Sequence, residues 1–151
     1  MNDLEKISKT KGKILAVDFG DTRTGLAVCD PSRLLASGIG YISPGGIEKT
    51  ADAVASIAKE QTVSALIVGL PVNMDGSEGS RAARCRKFAA MVEERTALPV
   101  AMFDERMTTM TAARYLNETN TRGQKRKTVI DTLSAQIILQ NALDRLKYLE
   151  G

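Results

Sequence analysis

The pattern of apolar and polar positions begins with a series of short strands. Residues 14–17 form a wholly apolar run that ends at Asp18, which is typical of a strand buried on both faces. Residues 26–29 and 35–42 predict further strands, with the turn residues Asp30-Pro31-Ser32 between them. The N-terminal third of the chain therefore predicts an antiparallel meander.

Helical and strand patterns alternate after this meander. Apolar residues at helical spacing predict a helix over residues 47–58, and the apolar run 65–69 predicts a buried strand that ends before Pro71. Ser80 can cap the next helix, because its hydroxyl can accept from a free backbone N–H of the first turn. Residues 100–103 then predict a fifth strand.

The C-terminal part predicts further helices. A short helix begins at Thr108 or Thr109 and runs to Leu116, and a long amphipathic helix runs from Val129 to about Leu149. The polar residues 117–128 predict a flexible loop between them. The order β-β-β-α-β-α-β-α-α predicts an α/β protein with a mixed five-stranded sheet, its later strands parallel and helices on both faces.

Length and composition limit how the chain is organised. Its 151 residues predict a single domain over residues 13–151, preceded by a polar, flexible leader at residues 1–12. No apolar run approaches a membrane span, so we expect a cytoplasmic protein with no membrane partner. Cys29 and Cys85 lack C-x-x-C spacing and lie among apolar residues, which predicts buried free thiols.

The chain contains no histidine, and this excludes the commonest hydrolytic chemistries. Ser-His-Asp and Cys-His catalysis, histidine general bases and histidine-ligated zinc are all ruled out. The net charge of +3 permits a polyanionic partner without requiring one. Aromatic residues make up only 4% of the chain, so structured or double-stranded nucleic acid is an easier substrate than splayed single-stranded bases.

Acidic residues follow the first and the fifth predicted strand. Asp18 ends the first, and Asp104-Glu105 ends the fifth. Because side chains alternate across a strand, only one of the adjacent acids should share a site with Asp18, and we favour Glu105. The alternatives are that Asp18 caps the turn after it and that Asp104 pairs with Arg106 at the surface.

A further acid, Asp131, lies in the first turn of the predicted last helix. It shares a face with Ala135, Ile138 and Ala142, and the favourable helix dipole is an alternative reason for an acid there. Carboxylates gathered at one edge of the sheet would repel one another unless a hard cation such as Mg²⁺ or Mn²⁺ neutralised them. Two-metal phosphodiester hydrolysis needs no histidine, so we predict Asp18, Glu105 and Asp131 as catalytic, metal-binding residues.

Basic residues cluster immediately before Asp131. They are Arg122, Lys125, Arg126 and Lys127, all within the predicted polar loop. Cations beside an acidic metal cluster suit contacts to the phosphates of a nucleic acid without reading its sequence. An ordinary solvated loop is the alternative.

From Lys13 onward the chain resembles the YqgF (RuvX) family of pre-16S ribosomal RNA nucleases, also described as Holliday-junction-resolvase-like proteins. The resemblance is carried by Asp18-Phe19-Gly20 with Arg23 and Gly25, by Val68-Gly69-Leu70-Pro71 with Gly76, by Asp104-Glu105-Arg106 with Thr108-Thr109, and by Asp131 with Ala135 and Leu139-Gln140. It implies a ribonuclease H-like fold with Mg²⁺ or Mn²⁺ at Asp18, Glu105 and Asp131, and trimming of the 5′ end of pre-16S rRNA.

The resemblance also concerns the arginines and the second of the three acids in chain order, here called the middle acid. It implies that Arg23 contacts phosphate or orders the acids, and Arg106 is a further predicted nucleic-acid-binding residue. In the related bacterial resolvases the middle acid follows the fourth strand. Here that strand ends in Gly69-Leu70-Pro71, so the role would pass to Glu105.

Several functions are compatible with these residues. The leading hypothesis is a metal-dependent endonuclease acting on structured RNA. A Holliday-junction resolvase acting on branched DNA is the nearest alternative, and symmetric cleavage of a junction would require a homodimer, whereas the sequence is compatible with a monomer or a homodimer. A further alternative is a non-catalytic nucleic-acid-binding factor in ribosome assembly or transcription. A sugar-kinase or actin-like ATPase needs a second such domain, which the length does not supply.

Overall fold

A mixed sheet forms the centre of the protein, for which the computed structural model describes residues 3–108 and 123–150, with side chains over 3–108 and 133–149. Its strands are β1 (Ile14–Asp18), β2 (Thr24–Cys29), β3 (Ala36–Ile42), β4 (Ala65–Leu70) and β5 (Val100–Asp104). They lie in the order β3-β2-β1-β4-β5, with β1, β2 and β3 antiparallel and β4 and β5 parallel to β1. The predicted mixed five-stranded sheet is confirmed.

Helices cover both faces of the sheet, as predicted. They are α1 (Asp3–Ser8), α2 (Ile47–Glu60), α3 (Ser80–Thr96) and α4 (Gly123–Glu150). Alternate residues of the buried strands enter different cores: Leu15 and Val17 pack with α2 and α3, whereas Ile14 and Ala16 pack with α1 and α4. The wholly apolar runs of β1 and β4 follow from this arrangement, because both faces of a central strand are covered.

The N-terminal residues differ from the predicted flexible leader. Residues 3–8 form α1, whose Leu4 and Ile7 are buried in the core beneath α4. The carboxylate of Asp3 accepts a 2.8 Å hydrogen bond from the backbone N–H of Met102 in β5. Since β5 is an edge strand, α1 pairs a backbone group that the sheet itself leaves open.

The beginnings of the longer helices also differ from the predictions. Helix α4 begins at Gly123 rather than Val129, so the predicted loop is helical from that residue onward. Gln, Lys and Arg are good helix formers, and their polarity conceals a helix from apolar periodicity. Gly79, not Ser80, is the N-cap residue of α3. The short helix predicted from Thr108 or Thr109 to Leu116 lies outside the described residues, apart from Thr108.

Glutamine side chains of α4 pair with the outer edge of β3. The Gln140 side-chain oxygen accepts a 2.9 Å hydrogen bond from the Ala36 N–H, and the amide nitrogen of Gln140 donates to the Leu34 carbonyl at 3.2 Å. Gln136 donates to the Ala36 carbonyl at 3.4 Å. The start of this edge strand is therefore hydrogen-bonded by the helix.

The turn between β2 and β3 is held by a carboxylate and a buried guanidinium. Asp30 accepts a 2.9 Å hydrogen bond from the Leu34 N–H, and hydrogen bonds from the turn lower the pKa of Asp30 to about 2. Arg33 donates to the carbonyls of Gly12 at 2.7 Å and Ile7 at 3.1 Å. Arg33 therefore joins this turn to the segment between α1 and β1.

Cys29 and Cys85 are both free and buried, as predicted. Burial is the main cause that raises the pKa of each thiol, to about 11 for Cys85. None of the described helices combines the length and the apolar character that crossing a membrane would require.

Candidate active site

Asp18 lies at the carboxyl end of the central strand. Residues 14–17 of β1 are fully buried, and Asp18 is the first residue of the strand that reaches partial exposure. Strands β1, β4 and β5 are parallel, so their carboxyl ends meet at one edge of the sheet. This edge brings together residues that are far apart along the chain.

Glycines flank Asp18 on both neighbouring strands. Gly25 of β2 is its direct partner. The parallel register pairs Val17 with Val68, and one further residue brings Gly69 of β4 level with Asp18. Because neither neighbour carries a side chain, the sheet leaves space on both sides of the Asp18 carboxylate.

Glu105 reaches the same place from β5. It is the first residue of a 3-10 turn, Glu105–Met107, that directly follows β5. A Cβ atom placed on Gly69 would lie 3.2 Å from Oε2 of Glu105, so this carboxylate lies against Gly69. After burial, the Glu105 carboxylate is the largest cause of the raised pKa of Cys85, and Asp18 adds to it. The negative charges of Glu105 and Asp18 therefore act on the same thiol, that of Cys85.

Asp104 pairs with Arg106. Its carboxylate accepts hydrogen bonds from the Arg106 guanidinium, at 2.7 Å from Nη2, and from the Arg106 backbone N–H, at 2.8 Å. The Arg106 guanidinium also holds the pKa of Asp104 below its usual range. Of the two adjacent acids, Glu105 is the one beside Gly69, and Asp104 forms the surface pair with Arg106 that the sequence offered as the alternative.

The last helix crosses the same face of the sheet. Ala135, Ile138 and Ala142 of α4 are fully buried, which matches the predicted stripe. The Cδ1 atom of Ile138 would lie 2.7 Å from a Cβ atom on Gly69, so α4 packs directly onto this part of β4. Asp131 is in α4, one turn before Ala135, and its side chain lies outside those described.

The predicted nucleic-acid-binding residues are spread over several elements. Lys125, Arg126 and Lys127 belong to the first turns of α4 rather than to a loop, with side chains outside those described, and Arg122 lies outside the described residues altogether. Arg106 is in the pair with Asp104. The Arg23 guanidinium carbon lies 5.5 Å from the centre of the Tyr41 ring.

Sequence reasoning missed some residues around the site. Tyr41 was not selected, because its face of the sheet depends on how β3 pairs with β2, which alternation along the third strand alone does not show. Arg84 was not missed: it lies on a basic stripe of α3 that the sequence offers as an extension of the nucleic-acid surface or as a solvated helix face. In the structure it forms an exposed ion pair with Asp21, with Nη2 2.8 Å from Oδ1.

The donor set suits a hard cation better than a soft one. Among the described side chains no group of three or more acidic or cysteine residues is close enough to form a metal site. The carboxylates of Asp18 and Glu105 are nevertheless oxygen donors of the kind that Mg²⁺ and Mn²⁺ prefer. The absence of a Cβ on Gly69 preserves the space that Glu105 occupies, so the residues present fit such a cation.

Comparison with known proteins identifies a matching family and named relatives. The family model RuvX, described as Holliday junction resolvase, matches residues 12–145. A Paracoccus denitrificans protein named as a pre-16S rRNA nuclease is 41% identical over 138 residues, covering 91% of this chain and 87% of that protein. A Rhodopirellula baltica protein of the same name is 37% identical over 137 residues, covering 91% of this chain and 79% of that protein.

Solved structures share the fold at low sequence identity. RuvC of T. thermophilus, in complex with a Holliday junction substrate, has a TM-score of 0.55 at 13% identity, over 89% of this chain and 96% of RuvC. The Fowlpox virus resolvase, in complex with Holliday junction DNA, has a TM-score of 0.51 at 11% identity, over 92% of this chain and 99% of the resolvase. The predicted ribonuclease H-like fold is confirmed. Because the family model matches most of its length, the chain belongs to the RuvX family.

Proposed function

We propose that this protein is a metal-dependent endonuclease that hydrolyses phosphodiester bonds in structured RNA. The observation that carries the proposal is the approach of Asp18 and Glu105 to Gly69 at the carboxyl edge of the parallel strands. The relatives are named as pre-16S rRNA nucleases, which supports pre-16S rRNA as the substrate. We propose that the cut lies at its 5′ end and is made during ribosome biogenesis in the cytoplasm.

Asp18, Glu105 and Asp131 would hold Mg²⁺ or Mn²⁺. When bound, such a cation makes water nucleophilic near neutral pH and stabilises negative charge on the phosphate. The chain's own contribution is to hold carboxylates on rigid elements. β1 fixes Asp18, and the 3-10 turn fixes Glu105 through the Glu105 carbonyl, which accepts a 2.7 Å hydrogen bond from the Thr108 hydroxyl.

Phosphate contacts are proposed for the cations around this edge. They are Arg23, Arg106, Arg122, Lys125, Arg126 and Lys127. Arg106 already donates to both oxygens of Asp104, so only its remaining N–H groups could contact phosphate. Arg23 is a better candidate, because it precedes β2 close to Gly25, the partner of Asp18.

The proposal is tested with the purified full-length chain, Mn²⁺ and an RNA fragment that spans the 5′ end of pre-16S rRNA. We expect cleavage by the wild type and none by Asp18→Asn, with equal thermal melting midpoints showing that the variant is folded. Equal cleavage by Asp18→Asn would remove the assignment. Calorimetric titration with Mn²⁺ provides a second test, because no uptake at millimolar metal would favour a non-catalytic nucleic-acid-binding factor instead.

A DNA-junction resolvase is the second candidate. It is supported by the RuvX family description and by the fold shared with resolvases solved on Holliday junctions. A four-way DNA junction, assayed beside the RNA under the same conditions, distinguishes the candidates. Paired symmetric cuts in the junction, together with a dimer in solution, would favour the resolvase.

A further inference from the structure

Tyr41 lies in the same row of the sheet as Asp18. Asp18 pairs with Gly25 on β2, and Gly25 pairs with Tyr41 on β3. Directly paired residues of antiparallel strands project to the same face, so Tyr41 and Asp18 share the face covered by α4. Adjacent strands are about 4.8 Å apart, which puts the two backbones about 10 Å from each other.

A bulge in the sheet is responsible for this placement. The register between β2 and β3 shifts between Leu26 and Ala27, because Leu26 pairs with Gly40 and Ala27 with Gly38. Ile39 is the extra residue, and Gly40 has a φ of +107°, a value that side chains strongly disfavour. An extra residue reverses the alternation of the strand beyond it, so Tyr41 lies on the face of Asp18.

Gly25 lies between Tyr41 and Asp18 in this row, and it has no side chain to separate the ring from the acid. Tyr41 is 37% exposed on the edge strand β3, so part of its ring is open to solvent. The Arg23 guanidinium lies 5.5 Å from the ring centre, within cation–π range. An aromatic ring and a cation thus lie side by side next to the acidic edge.

We propose that Tyr41 and Arg23 form a subsite for one unpaired nucleotide that flanks the cut. The Tyr41 ring stacks on its base, and the Arg23 guanidinium contacts its phosphate. Aromatic stacking needs an unstacked base, because the faces of bases within a helix are already covered. The substrate class is therefore RNA with an unpaired nucleotide beside the scissile bond, rather than continuous duplex. This inference rests on the proposed function for the position of the cut.

Binding of a fluorescent oligonucleotide tests the subsite. A hairpin RNA carries 2-aminopurine at an unpaired position, a fully paired duplex of equal length serves as the comparison, and EDTA prevents cleavage at a fixed salt concentration. We expect the wild type to quench 2-aminopurine by stacking. Tyr41→Ala should lose this quenching and bind the hairpin about tenfold more weakly, with duplex affinity unchanged. Tyr41→Phe keeps the aromatic ring, so it should quench 2-aminopurine and bind the hairpin like the wild type.

Tyr148 supplies a matched control. It is 86% exposed and lines a cavity with Met102 and Asp104 of β5, the edge strand opposite β3, so Tyr148→Ala removes a tyrosine from another surface. We expect Tyr148→Ala to bind and quench like the wild type. Wild-type quenching by Tyr41→Ala, or an equal loss of affinity for hairpin and duplex, would overturn the subsite. A changed oligomeric state with unchanged RNA affinity would overturn it as well, since Tyr41 would then belong to a protein interface.

The outcomes separate this inference from the proposed function. Quenching that depends on Tyr41, in a protein that cuts no RNA with Mn²⁺, would support the binding site and contradict the endonuclease. Cleavage that depends on Asp18, with no effect of Tyr41→Ala on binding, would support the endonuclease and contradict the subsite.

Discussion

Arg106 holds Asp104 through both its side chain and its backbone: Nη2 lies 2.7 Å from Oδ2, and the amide nitrogen lies 2.8 Å from Oδ1. The second of these bonds caps the 3-10 turn that begins at Glu105. A residue that caps a turn fixes the direction in which the turn leaves the strand. Asp104 is thus a positioning residue for the neighbouring acid that approaches Gly69.

Substitution of the adjacent acids should separate their roles. We expect Glu105→Gln to lower the Mn²⁺-dependent cleavage rate by more than about 100-fold and Asp104→Asn by about 10- to 100-fold, as for a residue that only supports a ligand. Both changes preserve side-chain shape, so the melting temperatures serve as the folding control. Cleavage by Glu105→Gln together with inactivity of Asp104→Asn would reverse the assignment.

A side chain at position 69 should damage both stability and the site. In Gly69→Ala the new Cβ would lie 2.7 Å from Cδ1 of Ile138 and 3.2 Å from Oε2 of Glu105, so we expect a loss of about 1–3 kcal/mol in the free energy of unfolding. Ile138→Val removes the first of these atoms, so the double variant should be more stable than the sum of the single changes predicts. Cleavage should stay low in the double variant, because Glu105 is still displaced.

Gly79 offers the control for this substitution. A Cβ atom there meets nothing within 4 Å, and the residue is an N-cap without a side-chain hydrogen bond. Gly79→Ser should therefore leave stability unchanged or raise it by a few tenths of a kcal/mol. Urea unfolding measures all of these variants, and a Gly69→Ala protein as stable as the wild type would contradict the close packing.

Buried and exposed arginines should differ sharply in how much they contribute to the free energy of unfolding. Arg33 is 9% exposed and donates to the carbonyls of Gly12 and Ile7. Arg33→Met should remove these charged hydrogen bonds, including the donor to the Gly12 carbonyl, and cost about 2 kcal/mol or more. Arg95 pairs with Asp52, whose side chain is 68% exposed, and Arg95→Met should cost less than about 1 kcal/mol. Equal unfolding midpoints for the two variants in urea would argue against the structural role of Arg33.

Stability should fall in acid partly through Asp30. Hydrogen bonds from Ser32, Leu35 and Leu34 lower the pKa of Asp30 to about 2 in the folded protein, whereas an unfolded aspartate titrates near 3.9. Because the folded-state pKa is the lower one, the stabilisation is complete above about pH 4 and is lost as the pH falls toward 2. Asp30→Asn should lose less stability than the wild type over this window in pH-dependent thermal melts. Parallel pH profiles would contradict this account.

The strands could be predicted because burial dictates their composition. β1 and β4 are central and parallel, so both faces require apolar residues and the runs stand out. Helix α1 could not be predicted, because its only buried side chains are Leu4 and Ile7, too few for a periodic pattern. Helix α4 was predicted to begin late because its first turns are polar, and a polar helical segment has no apolar stripe.

Only those features of the candidate site that depend on alternation within one strand could be predicted from the sequence. Alternation along β5 separates Asp104 from Glu105, and that step needs no knowledge of other strands. The row from Asp18 through Gly25 to Tyr41 depends on pairing between strands and on the bulge at Leu26 and Ala27. Such a register is set by contacts distant in sequence, so the role of Tyr41 required the structure.

The amide groups of Gln136 and Gln140 occupy the positions that a sixth strand would take beside Ala36. A side-chain amide carries a donor and an acceptor, as a peptide group does, so it can end a sheet where another chain would otherwise add to it. These bonds also prevent α4 from sliding along the sheet, because a shift of one helical turn, about 5.4 Å, would break them. The glutamines therefore oppose edge-to-edge pairing at β3, and they fix the position along the sheet of the helix whose first turns carry Asp131.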